Sequence, residues 1–147
     1  MNKDQWDAMG PLPVALDWKQ VQFRTDIDLE NIPDKPGIYS FSIVAEKVGL
    51  PPNGYIAYVG IAGEKGLGKR HLRQRYRDYI REKRTVVRSH IHRLLDQWDG
   101  SLVFHYAEVQ KFDELPGIEK ILINTLLPPG NKRDFDVVIK QFKGAAW

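Results

Sequence analysis

Residues 59–72 read VGIAGEKGLGKRHL, and Gly63, Gly68 and Lys69 fit G-x-x-x-x-G-K, the spacing with which glycine amides and a lysine cradle phosphate groups. The cradle is incomplete, because the hydroxyl that should follow the lysine and bind Mg²⁺ is replaced by Arg70. Other residues are better placed for chemistry. At about 100° per residue, Leu72, Tyr76, Tyr79 and Ile80 form one apolar arc, while Arg70, Arg73, Arg77, Arg81 and Arg84 form a solvent stripe. Arg75 belongs to neither set. It flanks the apolar arc one turn before Tyr79, so its guanidinium should be partly desolvated and aimed at a fixed group. Glu119 repeats the pattern on a later segment, where it falls among Leu115, Leu122, Ile123 and Leu126. A carboxylate on the apolar side of a helix is costly unless a cation or several donors meet it. Three arrangements meet that need: a structural pair with Arg75, a divalent metal, or the dipole of a first helical turn, which by itself does not require the buried side.

The charge is concentrated. The whole chain of 147 residues carries +3, yet residues 68–93 alone hold ten Lys and Arg against two Asp and Glu. Such a stretch is the footprint of a surface that meets a polyanion, or else a solvated helix face. With 42% hydrophobic residues the chain can build one folded domain. It has no cysteine, which excludes disulfides, zinc ribbons and thiolate nucleophiles. No apolar run approaches the roughly 20 residues of a membrane span, and the opening MNKDQWDAMG carries acids where a secretion signal would be basic and then apolar. A cytoplasmic location is the expectation.

These side chains need elements to hold them. GIYSFSIVA (37–45) and GYIAYVGI (54–61) predict two strands of a hairpin. Helices are predicted over 68–83 and 85–98, the second with an apolar face of Val86, Val87, His90, Ile91, Leu94, Leu95 and Trp98. A strand over 101–109 and a helix over 116–127, broken by Pro128-Pro129-Gly130, complete a β-β-α-α-β-α order, with one short strand around Trp18–Phe23 ahead of it. A hairpin followed by two helices implies an antiparallel sheet, which argues against the phosphate cradle of parallel α/β folds. In that hairpin Tyr39 shares a face with Phe41 and Ile43, and Tyr58 shares one with Ile56 and Gly60, so the two tyrosines can oppose each other or simply be core. His90 and His92, two apart on a helix, do not converge on one ion and read as a core and a surface histidine. His71 and His105 show no evident partner.

In this order the motifs resemble the GIY-YIG nuclease family. Gly37-Ile38-Tyr39 opens the motif and Tyr58-Val59-Gly60 continues it. Leu72-Arg73-Gln74-Arg75 matches a Leu-x-x-Arg helix, with Tyr79 at the following His or Tyr position; Glu119 matches the helix-opening glutamate, with Pro128 and Asn131 after it. The resemblance implies an α+β fold, a three-stranded antiparallel sheet flanked by helices, in one domain with an N-terminal extension (1–35), a nuclease-like core (36–133) and a C-terminal segment (134–147). It also implies a divalent-metal-dependent endonuclease that hydrolyses phosphodiester bonds in nucleic acid, with DNA as the expected polymer. By the same resemblance, Glu119 binds Mg²⁺ or Mn²⁺ and Arg75 grips the scissile phosphate. Tyr39 acts as base for an attacking water or orients it, and Tyr58 holds the phosphate or that water. Asn131 either braces the site or is a turn residue after a helix. The family often has Lys or Ser directly after Tyr-Ile-Gly, whereas this chain has Ile61-Ala62, so Lys65 or Lys69 is left to activate Tyr39. The glycine-rich turn then feeds Lys65, Lys69, Arg70 and Arg73 toward nucleic-acid backbone. A catalytically inactive nucleic-acid-binding module of the same fold is the alternative. No base-reading module is recognisable, so specificity falls to residues 1–35, a homodimer or another protein.

Overall fold

The structure is a computed structural model that describes residues 1–45, 53–63 and 70–131. Its elements run β1 (Lys19–Gln22), β2 (Gly37–Ala45), β3 (Asn53–Ala62) and β4 (Leu102–Glu108), with helices α1 (Lys3–Ala8), α2 (Leu72–Arg84), α3 (Ser89–Gln97) and α4 (Leu115–Leu126). Lys65, Lys69 and the C-terminal segment from residue 134 lie outside the described residues. Strand periodicity divides the apolar residues between two faces of one antiparallel sheet ordered β1-β4-β2-β3. On one face Tyr39, Phe41, Ile43, Leu102, Phe104 and Tyr106 are buried beneath Leu72, Tyr76 and Tyr79 of α2 and Ile91 and Leu95 of α3. On the other, Ile38, Val59, Ile61 and Ala107 pack with Leu115, Ile118 and Ile123 of α4.

The sheet has four strands rather than the expected three. Without β1, the outer edge of β4 would leave a row of unpaired backbone groups. The Trp18–Phe23 segment fills that row as β1, pairing Lys19 with Tyr106 through to Gln22 with Val103, and Phe23 N donates to the Leu102 carbonyl at 2.8 Å. The N-terminal extension is therefore part of the core, where Phe23 and Ile32 are buried. Its first residues reach the opposite face, where Asn2 N donates to the Thr125 carbonyl at 2.8 Å.

Both middle helices start later than their periodicity predicts. Leu72 N and Arg73 N donate to the carbonyls of Lys35 and Pro33, so the chain before β2 satisfies the free amides of α2 that no side chain caps. His71, beside that junction, has Nδ1 3.1 Å from Asp34 Oδ1 and so has a partner after all. α3 begins at Ser89, not 85, because the buried Glu82 carboxylate accepts from Val87 N at 3.1 Å and from Arg88 N, holding the link out of helical geometry. Val86 and Val87 are consequently 63% and 74% exposed instead of buried. The histidines depart from their expected places: His90 is exposed, and the half-buried His92 has Nδ1 3.0 Å from the Glu82 carbonyl.

Phe104 is the hub of the α2–α3 face, with ring centroids 5.4 Å from Tyr39, 5.3 Å from Phe41 and 5.0 Å from Tyr76. Phe104→Ala should therefore lower stability by about 3–5 kcal/mol in urea unfolding, as complete loss of a buried aromatic does.

Candidate functional site

The tyrosines are gathered by strand register. Tyr39 pairs with Gly60 and Phe41 with Tyr58, which makes Tyr39 and Tyr58 diagonal neighbours on one face, their ring centroids 6.3 Å apart. The register then shifts, since Ser42 pairs with Ile56 and Ala57 is left over as a bulge. Ala57 consequently stays with the tyrosine face while Ile56 packs on the α4 side, so Ile56 does not share the face of Tyr58 as regular alternation predicts. Gly60 is where Tyr39 fits: a Cβ there would lie 2.5 Å from the Tyr39 hydroxyl oxygen and 3.0 Å from the Tyr58 ring. Past β3, Gly63 turns the chain with φ 95° against Pro36, a conformation that needs glycine.

α2 supplies the third tyrosine. The Tyr79 hydroxyl lies 2.9 Å from that of Tyr39, and the Tyr79 ring stands edge-on to both others, at 5.8 Å from Tyr39 and 6.2 Å from Tyr58. Asn131 fixes the strand beneath them. Its Oδ1 accepts from Val59 N at 2.9 Å and its Nδ2 donates to the Val59 carbonyl at 2.8 Å, while Gly130 N donates to the Ala57 carbonyl at 2.8 Å. A side-chain amide thus imitates a neighbouring strand between Tyr58 and Gly60, which is bracing rather than mere tolerance in a turn.

Burial dominates the electrostatics. It pushes the Tyr39 hydroxyl well above the ordinary tyrosine range; the neighbouring Tyr58 adds to that, the Arg75 guanidinium opposes it, and the Glu119 carboxylate reinforces it. Tyr58 is raised by burial, by Tyr79 and by Glu119, against the charge of Arg88. Tyr79 is raised by burial and by Tyr39. All three are therefore neutral phenols at physiological pH, able to donate as well as accept. Arg75 from α2 and Glu119 from α4 act with opposite sign on the same Tyr39 hydroxyl. Arg75 is half-buried, and its Nε is buried without a hydrogen-bond partner.

Of the residues expected to meet nucleic-acid backbone, Arg70 and Arg73 lie among the described residues, and each has a partner within the chain. Arg73 donates from Nε to the Ile32 carbonyl at 2.8 Å and from Nη1 to Glu30 at 3.0 Å, which ties α2 to the N-terminal extension and away from the tyrosines. Arg70 is exposed, with Nη1 3.7 Å from Asp78. Sequence reasoning missed Arg88, whose guanidinium carbon sits 5.3 Å from the Tyr79 ring centroid. Its signal was Glu82, which lies on the same flank of α2 as Arg75 and, being acidic there, requires a cation. Among the described residues no three His, Asp or Glu side chains cluster as a metal site, and no helix is long and apolar enough to cross a membrane. No family model, no curated protein and no solved structure matches the chain.

Two outcomes follow from this packing. Gly60→Ala forces Tyr39 off its place and should cost about 1–3 kcal/mol in urea unfolding, the usual range for overpacking. The raised phenols set the alkaline limit: the unfolded chain loses these protons near the ordinary value of 10.0, before the fold does. Stability should hold below about pH 10 and fall as pH rises beyond it, with tyrosinate absorbance lagging until the protein unfolds.

Proposed function

We propose that the chain is an endonuclease of the GIY-YIG type, hydrolysing phosphodiester bonds in nucleic acid, DNA first, with Mg²⁺ or Mn²⁺. The observation that carries this is the Tyr39–Tyr79 hydroxyl pair, 2.9 Å apart and beside the Tyr58 ring, on which the charges of Arg75 and Glu119 act from helices on opposite faces of the sheet. Arg75 contributes a buried donor that lacks a partner, which is what a site for an anionic substrate presents.

The donor set fits the cation. One carboxylate, with no thiolate in the chain and no imidazole cluster among the described residues, suits Mg²⁺ or Mn²⁺, which keeps waters and takes phosphate oxygens alongside one or two carboxylates. Glu119 would hold the ion, whose chemistry when bound is Lewis-acid stabilisation of charge on the phosphate. Arg75 would offset the same charge through its guanidinium. Burial favours the neutral form of Tyr39, so its part is to orient an attacking water by hydrogen bonding rather than to remove a proton as phenolate. Tyr79 fixes that hydroxyl at 2.9 Å, and the partly buried Tyr58 offers its own to the phosphate. The same burial of Tyr39, only 2% exposed, favours the second reading, a module that binds nucleic acid without cutting it. A cytoplasmic setting and a homodimer or partner protein that supplies specificity belong to the same proposal.

Purified protein is incubated with supercoiled plasmid, branched DNA and RNA, with Mg²⁺ or with chelator. Cleavage should need the cation, and Glu119→Ala and Arg75→Ala should each slow it by about 10²-fold or more in folded protein. Cleavage indifferent to Glu119→Ala removes the metal assignment, and binding without cleavage by the unaltered protein selects the module.

A further inference from the structure

Glu82 is a carboxylate 4% exposed, and three donors satisfy it: Val87 N at 3.1 Å, Arg88 N, and Arg88 Nε at 3.3 Å. Two of the three are backbone amides of one short link. Neutralising Glu82 therefore takes only one corner of the Arg88 guanidinium. The group is held at one further point without being covered: its carbon lies 5.3 Å from the Tyr79 ring centroid, while the side chain remains 39% exposed. No hydrogen bond among the described residues uses its two terminal amino groups. Its neighbours Val86 and Val87 are exposed, so the link stands open to a large partner.

The two arginines divide the tyrosine cluster. The charge of Arg75 acts on Tyr39, whereas that of Arg88 acts on Tyr58 and Tyr79. A polymer with regularly spaced phosphates can meet both, and a preorganised guanidinium whose two amino groups no described residue engages matches a phosphate in bidentate fashion. We propose that Arg88, held by Glu82 and stacked on Tyr79, is a second phosphate-binding cation of this site, gripping a backbone phosphate that flanks the one met by Arg75. This rests on the nucleic-acid reading above, but not on cleavage.

The test is binding of a fluorescein-labelled duplex oligonucleotide in chelator, followed by anisotropy over a series of salt concentrations. Arg88→Ala should weaken binding about tenfold and lower the slope of log affinity against log salt by about one, the mark of one lost phosphate contact. Arg88→Lys should keep the slope while losing part of the affinity. Because Arg88→Ala leaves the Glu82 carboxylate with fewer donors, Glu82→Gln/Arg88→Gln removes both charges together, and the loss of slope should persist. Unaltered slope and affinity in Arg88→Ala, or recovery of both in the double variant, overturn the inference and leave Arg88 a partner of Glu82 alone. Arg88-dependent binding by a protein that never cleaves sustains it while the hydrolytic reading fails. Absence of any binding by the unaltered protein overturns both.

Discussion

The Tyr39 hydroxyl sits in the interior of the fold, in the space that a side chain at position 60 would occupy, and the surrounding architecture follows from that placement. A buried phenol must be given a partner or its desolvation is uncompensated. Tyr79 is that partner, which fixes the rotation of α2 against the sheet and so fixes where Arg75, one helical turn earlier, must point. The position of Gly60 opposite Tyr39 in turn depends on the backbone of Val59, which the side chain of Asn131 holds on both its donor and its acceptor. One hydrogen bond between two tyrosines thus connects the hairpin, the second helix and the residues after the last helix.

Glu82 performs a similar task for the other end of α2. By drawing two backbone amides of the following link to itself, it delays the start of α3 and turns Arg88 back over Tyr79. The same carboxylate shapes the link and supplies the counter-charge for the cation in it. Its cost in desolvation is offset by three donors, two of them fixed by the backbone.

Much of this was legible in the residues. The strands around Tyr39 and Tyr58, the strand through Phe104 and the helix carrying Glu119 follow from β-branched and aromatic runs or from 3.6-residue periodicity, and they stand where those patterns put them. What escaped was what distant segments decide. Nothing local says that Lys19–Gln22 completes the far side of β4, because that pairing exists only to satisfy a strand edge far away in the chain. The bulge at Ala57 has no residue signature, yet it moves Ile56 to the other face. Val86 and Val87 continue an apolar period into a segment that a buried acid pulls out of the helix, so nothing in that period singles out Arg88. Arg75 and Glu119 were identifiable because an ion at the border of an apolar arc is costly by itself; their common effect on one hydroxyl needed coordinates.

The amide clasp on Val59 has a meaning for self-association. It occupies the outer side of β3, the sheet's terminal strand in one direction, while the terminal strand in the other direction is the four-residue β1, whose Lys19, Gln20 and Gln22 are exposed and polar. Among the described residues, β1 is too short and polar to template a long added strand, and the middle of β3 is occupied at Ala57 and Val59. A second copy approaching through the arginine-bearing face of α2 would meet like charge, a repulsion that added salt weakens.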